Sequence, residues 1–338
     1  MTALVVVDAD VLGRQRTGDE TYVRNLLREL APLTEGAGLR LAAVSRRPEL
    51  VPDGVEPVAL AARWQELRMA LSLPRALRRL DADLVHTQYA LPLHAPCPCV
   101  VTVHDLSFAR EPELMGRKDR LVFGRVVPRA VRRAVRVLTV SERTKRDLVE
   151  LYGVPPAKVV VTPNGVDPVF TPGVSSYDYL LAVGAIQLRK NQLAALEAAK
   201  AVGLPLVVAG PEKDPGLADE LRRRGARLEG YVEPERLADL YRGAACLVQP
   251  SRFEGFGLPV LEAMACGTPV VCVPEPALEE VAGDAAVFVE EGELADGIRR
   301  AIGERERLSA AGIERARAFS WQATAERTLA VYREILGL

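Results

Sequence analysis

The sequence is poor in the residues that metal sites, disulfide frameworks and nucleic-acid interfaces require. Its 338 residues include three His and five Cys. The odd Cys count and the lack of a Cys-x-x-Cys pair favour a reduced protein without a metal. Aromatic residues make up 5% and the formal net charge is −1, so we expect no nucleic-acid partner.

Long apolar runs are also missing. No run reaches the roughly 18 residues that a membrane span needs, and the first residues, MTALVVVDAD, lack the basic region of a signal peptide. We therefore expect a cytoplasmic location. The sequence does contain enough hydrophobic residues to form a core. Its 49% of hydrophobic residues excludes a disordered chain, and its length suits two domains of about 150 residues each.

Short β-branched apolar runs alternate along the chain with longer segments of helical periodicity. The runs are continuously apolar, which is typical of strands covered on both faces, and the alternation predicts parallel sheets built from βαβ units. In the first half, strands are predicted at 3–7, 39–44, 84–86, 99–103 and 136–140, and helices at 20–30, 64–80, 117–134 and 142–152. In the second half, strands are predicted at 179–185, 205–209, 226–228, 245–248, 269–273 and 286–289, and helices at 191–202, 216–224, 235–241, 258–265 and 293–302.

The alternation is interrupted at 160–173, where three Pro and two Gly fall together. We expect two doubly wound α/β domains, 1–165 and 166–318, with the carboxyl ends of their strands facing across a cleft. The stretch from 304 to 338 reads as wholly helical. Its last part, 319–338, is expected to cross back to the first domain.

The most informative segment is PSRFEGFGLPVLEAMACGTPVV, residues 250–271. A strand leads into a loop that contains Gly255 and Gly257, and a helix follows with Pro259 in its first turn. Free backbone N–H groups at a helix start suit a phosphate. Glu254 and Glu262 flank the loop, and carboxylates accept hydrogen bonds from sugar hydroxyls. The alternative for Glu262 is a favourable charge near a helix N-terminus.

A second segment, YLLAVGAIQLRKN at 179–191, has a strand that ends at Gly184 and two adjacent cations, Arg189 and Lys190, before a helix. Such cations suit a diphosphate, because Arg binds it with two hydrogen bonds and Lys acts as a point charge. The alternative is a pair of solvated surface charges. Beside the Glu254 loop we favour the binding role.

Three features of the first half point to the same cleft. In VVTVHDL, His104 and Asp105 follow a buried strand, and His is a proton carrier near neutral pH. His86 also ends a strand and is a candidate to line the cleft. Gly13 and Gly18 lie in a loop after the first strand, where glycine allows close approach to a ligand. Plain capping, packing and connecting roles are the alternatives.

Together these segments resemble glycosyltransferase family 4. The resemblance rests on FEGFGLPVLEAMACGTPVV, YLLAVGAIQLRKN, VVTVHDLSFAREPEL, VLTVSERTKRDL, VTPNGVDPVF and FSWQATAERTLAVYREIL, which cover nearly the whole chain in the family's order. It implies the GT-B fold, a retaining mechanism and a nucleotide-sugar donor. The sequence is most similar to the branch with bacterial mannosyltransferases of polysaccharide biosynthesis.

The resemblance also implies residue roles. Glu254 would hold donor-sugar hydroxyls, Glu262 the ribose hydroxyls, and the Arg189–Lys190 pair the diphosphate. Phe256, Gly257 and Leu258 would offer backbone contacts, and His104 would lie near the transferred sugar. The expected catalytic set is His104, Arg189, Lys190 and Glu254. The expected donor-binding set is Gly13, Gly184, Arg189, Lys190, Glu254, Gly255, Phe256, Gly257, Leu258 and Glu262.

One stretch departs from the family. Where the family commonly reads T-G-I-G-x-Y, residues 17–22 read TGDETY. Two acids beside a diphosphate are unfavourable, so they are candidates to face the acceptor instead. The roles of Gly13 and Gly18 stay open for this reason.

The function implied is transfer of a hexose, with mannose favoured, from a nucleotide-sugar to a saccharide, lipid-linked or small-molecule acceptor. GDP-mannose is the favoured donor, a UDP-sugar is the other candidate, and no cofactor or metal is expected. Two alternatives remain open. One is a nucleotide-sugar epimerase or hydrolase on the same scaffold, and the other is a non-catalytic nucleotide-sugar-binding protein.

The small net charge conceals a division, with +6 over residues 1–165 and −7 over 166–338. Eight basic residues but only Asp119 as an acid fall between 116 and 136. A basic amphipathic helix there suits peripheral contact with an anionic membrane at the inner face of the cell membrane, where lipid-linked acceptors lie. The alternative is a solvated face in an Arg-rich protein.

Overall fold

The computed structural model describes residues 2–14, 17–60, 64–114, 116–173 and 176–338. The chain forms two compact units. Unit 1 comprises Met1–Gly165 and Trp321–Leu338, and unit 2 comprises Val166–Ser320. The C-terminal helix therefore belongs with the unit that contains the start of the chain.

Unit 1 is built on a parallel sheet of seven strands in the order β3-β2-β1-β4-β5-β6-β7. The strands are β1 Ala3–Asp8, β2 Leu39–Ser45, β3 Glu56–Ala59, β4 Leu84–Gln88, β5 Cys99–Val103, β6 Arg136–Thr139 and β7 Val159–Val161. The helices are α1 Thr17–Thr34, α2 Gln65–Leu67, α3 Leu73–Leu80, α4 Ser107–Arg110, α5 Arg117–Arg133 and α6 Glu142–Tyr152, with a π-helical stretch at Arg68–Ser72.

Unit 2 is built on a parallel sheet of six strands in the order β10-β9-β8-β11-β12-β13. The strands are β8 Tyr179–Val183, β9 Leu206–Ala209, β10 Arg227–Gly230, β11 Ala244–Gln249, β12 Val270–Cys272 and β13 Val287–Phe288. The helices are α7 Gln192–Val202, α8 Pro215–Arg223, α9 Pro234–Gly243, α10 Leu258–Ala265, α11 Pro276–Ala282, α12 Leu294–Gly303 and α13 Arg305–Ala316. The last helix, α14 Trp321–Leu336, lies in unit 1.

The central strands are buried on both faces, as the continuous apolar runs predict. Every residue of β11, AACLVQ, is buried, and β1 is buried from Leu4 to Asp8. The sequence analysis missed strands β3 and β7 and helix α11. Both strands are short and lie at the edges of the unit 1 sheet, where partial exposure leaves no continuous apolar run.

The prediction of a wholly helical segment from 304 to 338 is wrong. Helix α13 ends at Ala316, and Ser320 forms a β-bridge with Val166 before α14 begins at Trp321. The break lies where the chain leaves unit 2 for unit 1. A continuous helix would not allow this bridge, because a residue in a bridge has extended backbone.

Each sheet reverses its strand order once. The reversal lies between β1 and β4 in unit 1 and between β8 and β11 in unit 2. Ligands in open α/β sheets bind outside the carboxyl ends of the strands at such a reversal. In unit 2, the chain leaves β8 at Gly184 and β11 at Pro250, so both segments singled out by the sequence begin at the reversal.

The prediction that His86 lines a cleft is wrong. His86 lies within β4, fully buried, with one ring nitrogen on Thr102 Oγ1 (2.7 Å) and the other on Tyr332 Oη of α14. Burial, with a smaller contribution from His104, lowers its pKa to about 3, so the ring is neutral. His86 therefore links the sheet of unit 1 to the C-terminal helix.

None of the helices in the described ranges is both long enough and apolar enough to cross a bilayer.

The Tyr332–His86 hydrogen bond predicts a stability effect. In Tyr332→Phe, a buried ring nitrogen of His86 loses its partner, which should cost about 1–3 kcal/mol. Urea unfolding followed by tryptophan fluorescence measures it, because Trp64 and Trp321 both lie in unit 1. Tyr177→Phe, on a partly exposed ring, is the control. Equal free energies of unfolding in the two variants would contradict the prediction.

Candidate active site

In unit 2, the loops after β8 and β11 meet through a buried ion pair. Lys190 Nζ donates to Glu254 Oε1 (2.6 Å), and Arg189 Nη1 lies 3.6 Å from Glu254 Oε2. The loops are also joined by their backbones, because the N–H of Arg252 donates to the carbonyl of Arg189 (2.9 Å). The alternative of two solvated surface charges at 189 and 190 is excluded, since Lys190 is buried.

Glu254 is held as a carboxylate. Burial alone would raise its pKa, but the charges of Lys190 and Arg189 and hydrogen bonds from Lys190 and Ser251 outweigh burial and lower the pKa to about 2. Gln249, at the end of β11, donates from Nε2 to Glu254 Oε1 (2.8 Å). The carboxylate therefore stays charged at any working pH and has a fixed orientation.

Close backbone approach shapes the floor of this site. Gly210 follows β9 with φ of +146°, and a Cβ there would lie 2.2 Å from the carbonyl oxygen of Gly184. A Cβ on Gly184 would in turn meet Lys190 Cε at 3.2 Å. Gly210 thus allows the backbone after β9 to approach the backbone after β8, and Gly184 leaves room for the Lys190 side chain. The sequence analysis named Gly184 and missed Gly210.

The glycine loop ends at the first turn of α10. Gly257 is the N-cap residue with φ of +109°, and a Cβ there would collide with Leu278 Cδ2 at 2.7 Å, so glycine is required. Leu258 and Pro259 follow in the first turn, as predicted. The Phe256 ring is buried against Phe319, with ring centroids 5.8 Å apart. Phe256 thereby anchors the loop to unit 2.

Glu262 lies in a different environment from Glu254. It is buried in α10, and Tyr241 Oη donates to its Oε2 (2.8 Å). Burial, reinforced by the charge of Asp167, raises the pKa of Glu262 to about 7, and the Tyr241 hydrogen bond opposes this shift. Glu262 therefore titrates near neutral pH. The spacing of Glu254 and Glu262 in the sequence does not predict this difference between the two carboxylates.

His104 lies in unit 1, directly after β5. Its ring packs against Tyr22 (centroids 4.7 Å apart) and Tyr89 (5.6 Å), and burial lowers its pKa although Asp19 and Asp105 oppose the shift. Nε2 is buried and has no hydrogen-bond partner among the residues that the structure describes. The side chain is thus a neutral imidazole with one ring nitrogen available to a ligand.

In the segment 17–22, where the sequence differs from the family pattern, Glu20 has a structural role. Glu20 Oε1 accepts from the backbone N–H of Gly13 (2.9 Å) and from Arg24 (2.8 Å). The Gly13 amide, expected to approach the donor phosphate, is therefore occupied by a carboxylate of its own chain. Gly18 is exposed at the start of α1. The side chain of Thr17 lies outside the described residues.

The structure brings together Gly184, Arg189, Lys190, Glu254 and the 255–258 loop in unit 2, while Gly13 and His104 belong to unit 1. It adds three polar residues to the site that the sequence analysis missed: Gln249, Ser251 and Tyr241. The position of Gln249 at the end of a buried strand is the signal that would have found it. Among the described residues, no group of three or more His, Cys, Asp or Glu is arranged to hold a metal ion.

Two family models match the chain in succession. Residues 16–170 match the model described as Glycosyltransferase Family 4, and residues 172–319 match Glycosyl transferases group 1. The two matches together span both units except for the first 15 residues, which include β1, and the C-terminal helix.

Individual relatives agree with the models. The chain is 31% identical to O-antigen chain mannosyltransferase B of Escherichia coli, over 69% of this chain and 70% of that protein. It is 30% identical to D-inositol 3-phosphate glycosyltransferase of Kribbella flavida, over 98% and 95% of the two chains. Sucrose-phosphate synthase of Thermosynechococcus elongatus shares the fold, with a TM-score of 0.79 at 20% identity over 99% of both chains. The protein therefore belongs to glycosyltransferase family 4, has the GT-B fold, and is a glycosyltransferase.

Proposed function

We propose that the protein transfers a hexose from a nucleoside diphosphate sugar with retention of configuration and without a metal ion. The observation that carries the proposal is the Lys190–Glu254–Arg189 cluster at the strand reversal of unit 2. Its ionised carboxylate accepts sugar hydroxyls, and its cations bind the adjacent diphosphate. The cluster thus binds both groups that the breaking bond joins, the sugar and the diphosphate.

In the proposed reaction, the bond between sugar C1 and the diphosphate oxygen breaks and its electron pair stays on the diphosphate. The acceptor hydroxyl oxygen bonds to C1 on the same face, and its proton passes to the departing diphosphate. Arg189 and Lys190 stabilise the negative charge that develops on this leaving group. We propose that this compensation takes the place of a metal ion.

The favoured donor is GDP-mannose, with a UDP-sugar as the other candidate. A relative named as a mannosyltransferase supports mannose. A relative named for D-inositol 3-phosphate supports a polyol-type acceptor as readily as a saccharide. We propose a saccharide, lipid-linked or small-molecule acceptor, with contact at an anionic membrane through residues 116–136.

A panel of nucleotide-sugars tests the donor. We expect GDP-mannose to raise the melting temperature more than UDP-glucose, UDP-N-acetylglucosamine or free mannose at equal concentration. A ligand present at 100 times its Kd adds about 2.7 kcal/mol of stability, which thermal shift detects. A larger shift with a UDP-sugar would reject GDP-mannose and keep the transferase proposal, and no shift with any member would contradict both.

Arg189→Gln tests the diphosphate assignment. Loss of this cation should lower turnover at least ~10-fold, since one donor to the developing charge is removed. The measurement is nucleoside diphosphate release from the best donor of the panel, with simple glycosides as acceptors. Arg252→Gln is a matched control, because Arg252 lies in the neighbouring loop with a side chain that is 52% exposed.

Turnover at the wild-type rate in Arg189→Gln would contradict this assignment. Acceptor-free release at the full rate by the unaltered enzyme would instead favour the hydrolase alternative.

The raised pKa of Glu262 predicts pH dependence. If its carboxylate accepts ribose hydroxyls, donor affinity should rise roughly tenfold between pH 6 and pH 8, as the ionised fraction grows around a pKa of about 7. Stability moves the other way. Because folding raises this pKa from 4.5, unfolding becomes easier as pH rises from about 4.5 to about 7, by up to about 3 kcal/mol.

Glu262→Gln provides the comparison. The amide keeps an acceptor for Tyr241 but does not titrate, so donor affinity and melting temperature should both lose this pH dependence. Calorimetry with an intact nucleotide-sugar is the measurement, since its diphosphate does not titrate in this range. The same slope in Glu262→Gln would assign the pH dependence to another group.

A further inference from the structure

Most of the apolar side chains of helix α5 belong to the core of unit 1. Val127, Ala130 and Val131 are buried there, and Phe123 packs on Tyr89 and Phe108. Toward solvent α5 presents Leu121 and Val122 in its first half and, along its whole length, charge. The described exposed arginines on it are Arg120, Arg125, Arg129, Arg132 and Arg133.

These five arginines have no ion-pair partner among the residues that the structure describes, whereas many other exposed arginines pair with acids, for example Arg299 with Asp296 and Arg40 with Glu56. The side chains of Arg117, Lys118 and Asp119 lie outside the described residues. Unit 1 therefore carries a surface of uncompensated positive charge. Such a surface attracts anionic headgroups, at about 1 kcal/mol for each basic residue.

An apolar surface lies on the neighbouring helical segment. Trp64, Leu67 and Leu71 are spaced three and four residues apart, as on one helix face, and are 59%, 51% and 46% exposed. The intervening Arg68 points inward, fully buried, and donates to both oxygens of Asp8 at the end of β1 (2.8 Å for Nη1). This ion pair fixes the rotation of the segment and so keeps Leu67 and Leu71 turned to solvent.

Leu93, also exposed, joins the two surfaces. Its N–H donates to the carbonyl of Met69 in the π-helical stretch (3.0 Å), and its carbonyl accepts from Arg133 Nη2 of α5 (2.8 Å). We name Trp64, Leu67, Leu71 and Leu93 the apolar ridge. The ridge and the arginines of α5 are therefore adjacent parts of one face of unit 1.

We propose that this face docks on an anionic lipid bilayer, with the apolar ridge inserted at the interface and the arginines of α5 against the headgroups. Trp is the side chain that membrane interfaces favour, and apolar insertion beside basic residues is typical of interfacial binding. The inference deepens the proposed membrane contact of the glycosyltransferase. It adds the ridge as an apolar contact beside 116–136, whose arginines supply the electrostatic attraction.

The test uses vesicle binding by the full chain without donor or acceptor, so failure of the transferase proposal leaves it standing. We expect co-sedimentation with vesicles of phosphatidylcholine and phosphatidylglycerol and little with phosphatidylcholine alone. Leu67→Ser/Leu71→Ser and Arg125→Gln/Arg129→Gln should each weaken binding. The expected loss is about fivefold per arginine, the equivalent of about 1 kcal/mol. Ile302→Ser, at an exposed apolar site of unit 2, is the matched control.

Fluorescence distinguishes insertion from adsorption. The protein has two Trp, and Trp321 is buried, so Trp321→Phe leaves Trp64 as the sole reporter. Its emission should shift to the blue on anionic vesicles and be quenched by brominated lipid chains. Should Trp321→Phe not fold, the difference between wild type and Trp64→Ser gives the same signal. No binding, unchanged binding in Leu67→Ser/Leu71→Ser, or binding without a Trp64 shift would each overturn the proposal.

Discussion

The ion pair between Lys190 and Glu254 is the interaction on which the site in unit 2 depends. A buried pair of charges loses hydration, and its attraction compensates only when the geometry is good and further hydrogen bonds are present. Gln249 and Ser251 supply such bonds to Glu254, and Arg189 adds a second cation. The pair is therefore better explained by the geometry it imposes than by stability. It holds the loops after β8 and β11 in one arrangement, and the absence of a Cβ at Gly184 gives Lys190 the space to take part.

The two glutamates that flank the glycine loop show how surroundings set the properties of identical side chains. Glu254 lies between two cations and has a pKa of about 2, whereas Glu262 faces a tyrosine hydroxyl and the charge of Asp167 and has a pKa of about 7. Pairs of carboxylates with pKa values driven apart in this way take different roles. In the proposed reaction, Glu254 is a permanent charge for sugar hydroxyls, and Glu262 is a carboxylate whose ionisation is coupled to nucleotide binding.

The exposed arginines of α5 differ from many exposed arginines elsewhere in the protein. Arg222 and Arg307 in unit 2, and Arg40 and Arg47 in unit 1, pair with nearby acids. On α5 of unit 1, the exposed arginines face solvent without ion pairs among the described residues, while Arg68 is fully buried on Asp8. The charge division of the sequence thus has a local origin. It lies largely on helix α5, which packs on the core through Val127, Ala130 and Val131 and lies beside a segment with exposed apolar side chains.

The sequence by itself determined the parallel α/β class, the central strands, most helices, and the residues Arg189, Lys190, Glu254 and Glu262. It did so because continuous apolar runs and residues at strand ends are local signals. Tertiary structure alone decided the rest. Gly210 and Tyr241 act through partners distant in sequence, Gly184 and Glu262. The sequence did not predict that His86 is buried against the C-terminal helix, because its partner Tyr332 lies 246 residues away along the chain. The Gly13 amide is bound by Glu20, and α5 packs Val127, Ala130 and Val131 into the core while Leu121 and Val122 stay exposed. Burial and hydrogen bonding depend on the residues that pack opposite, and no local sequence pattern contains that information.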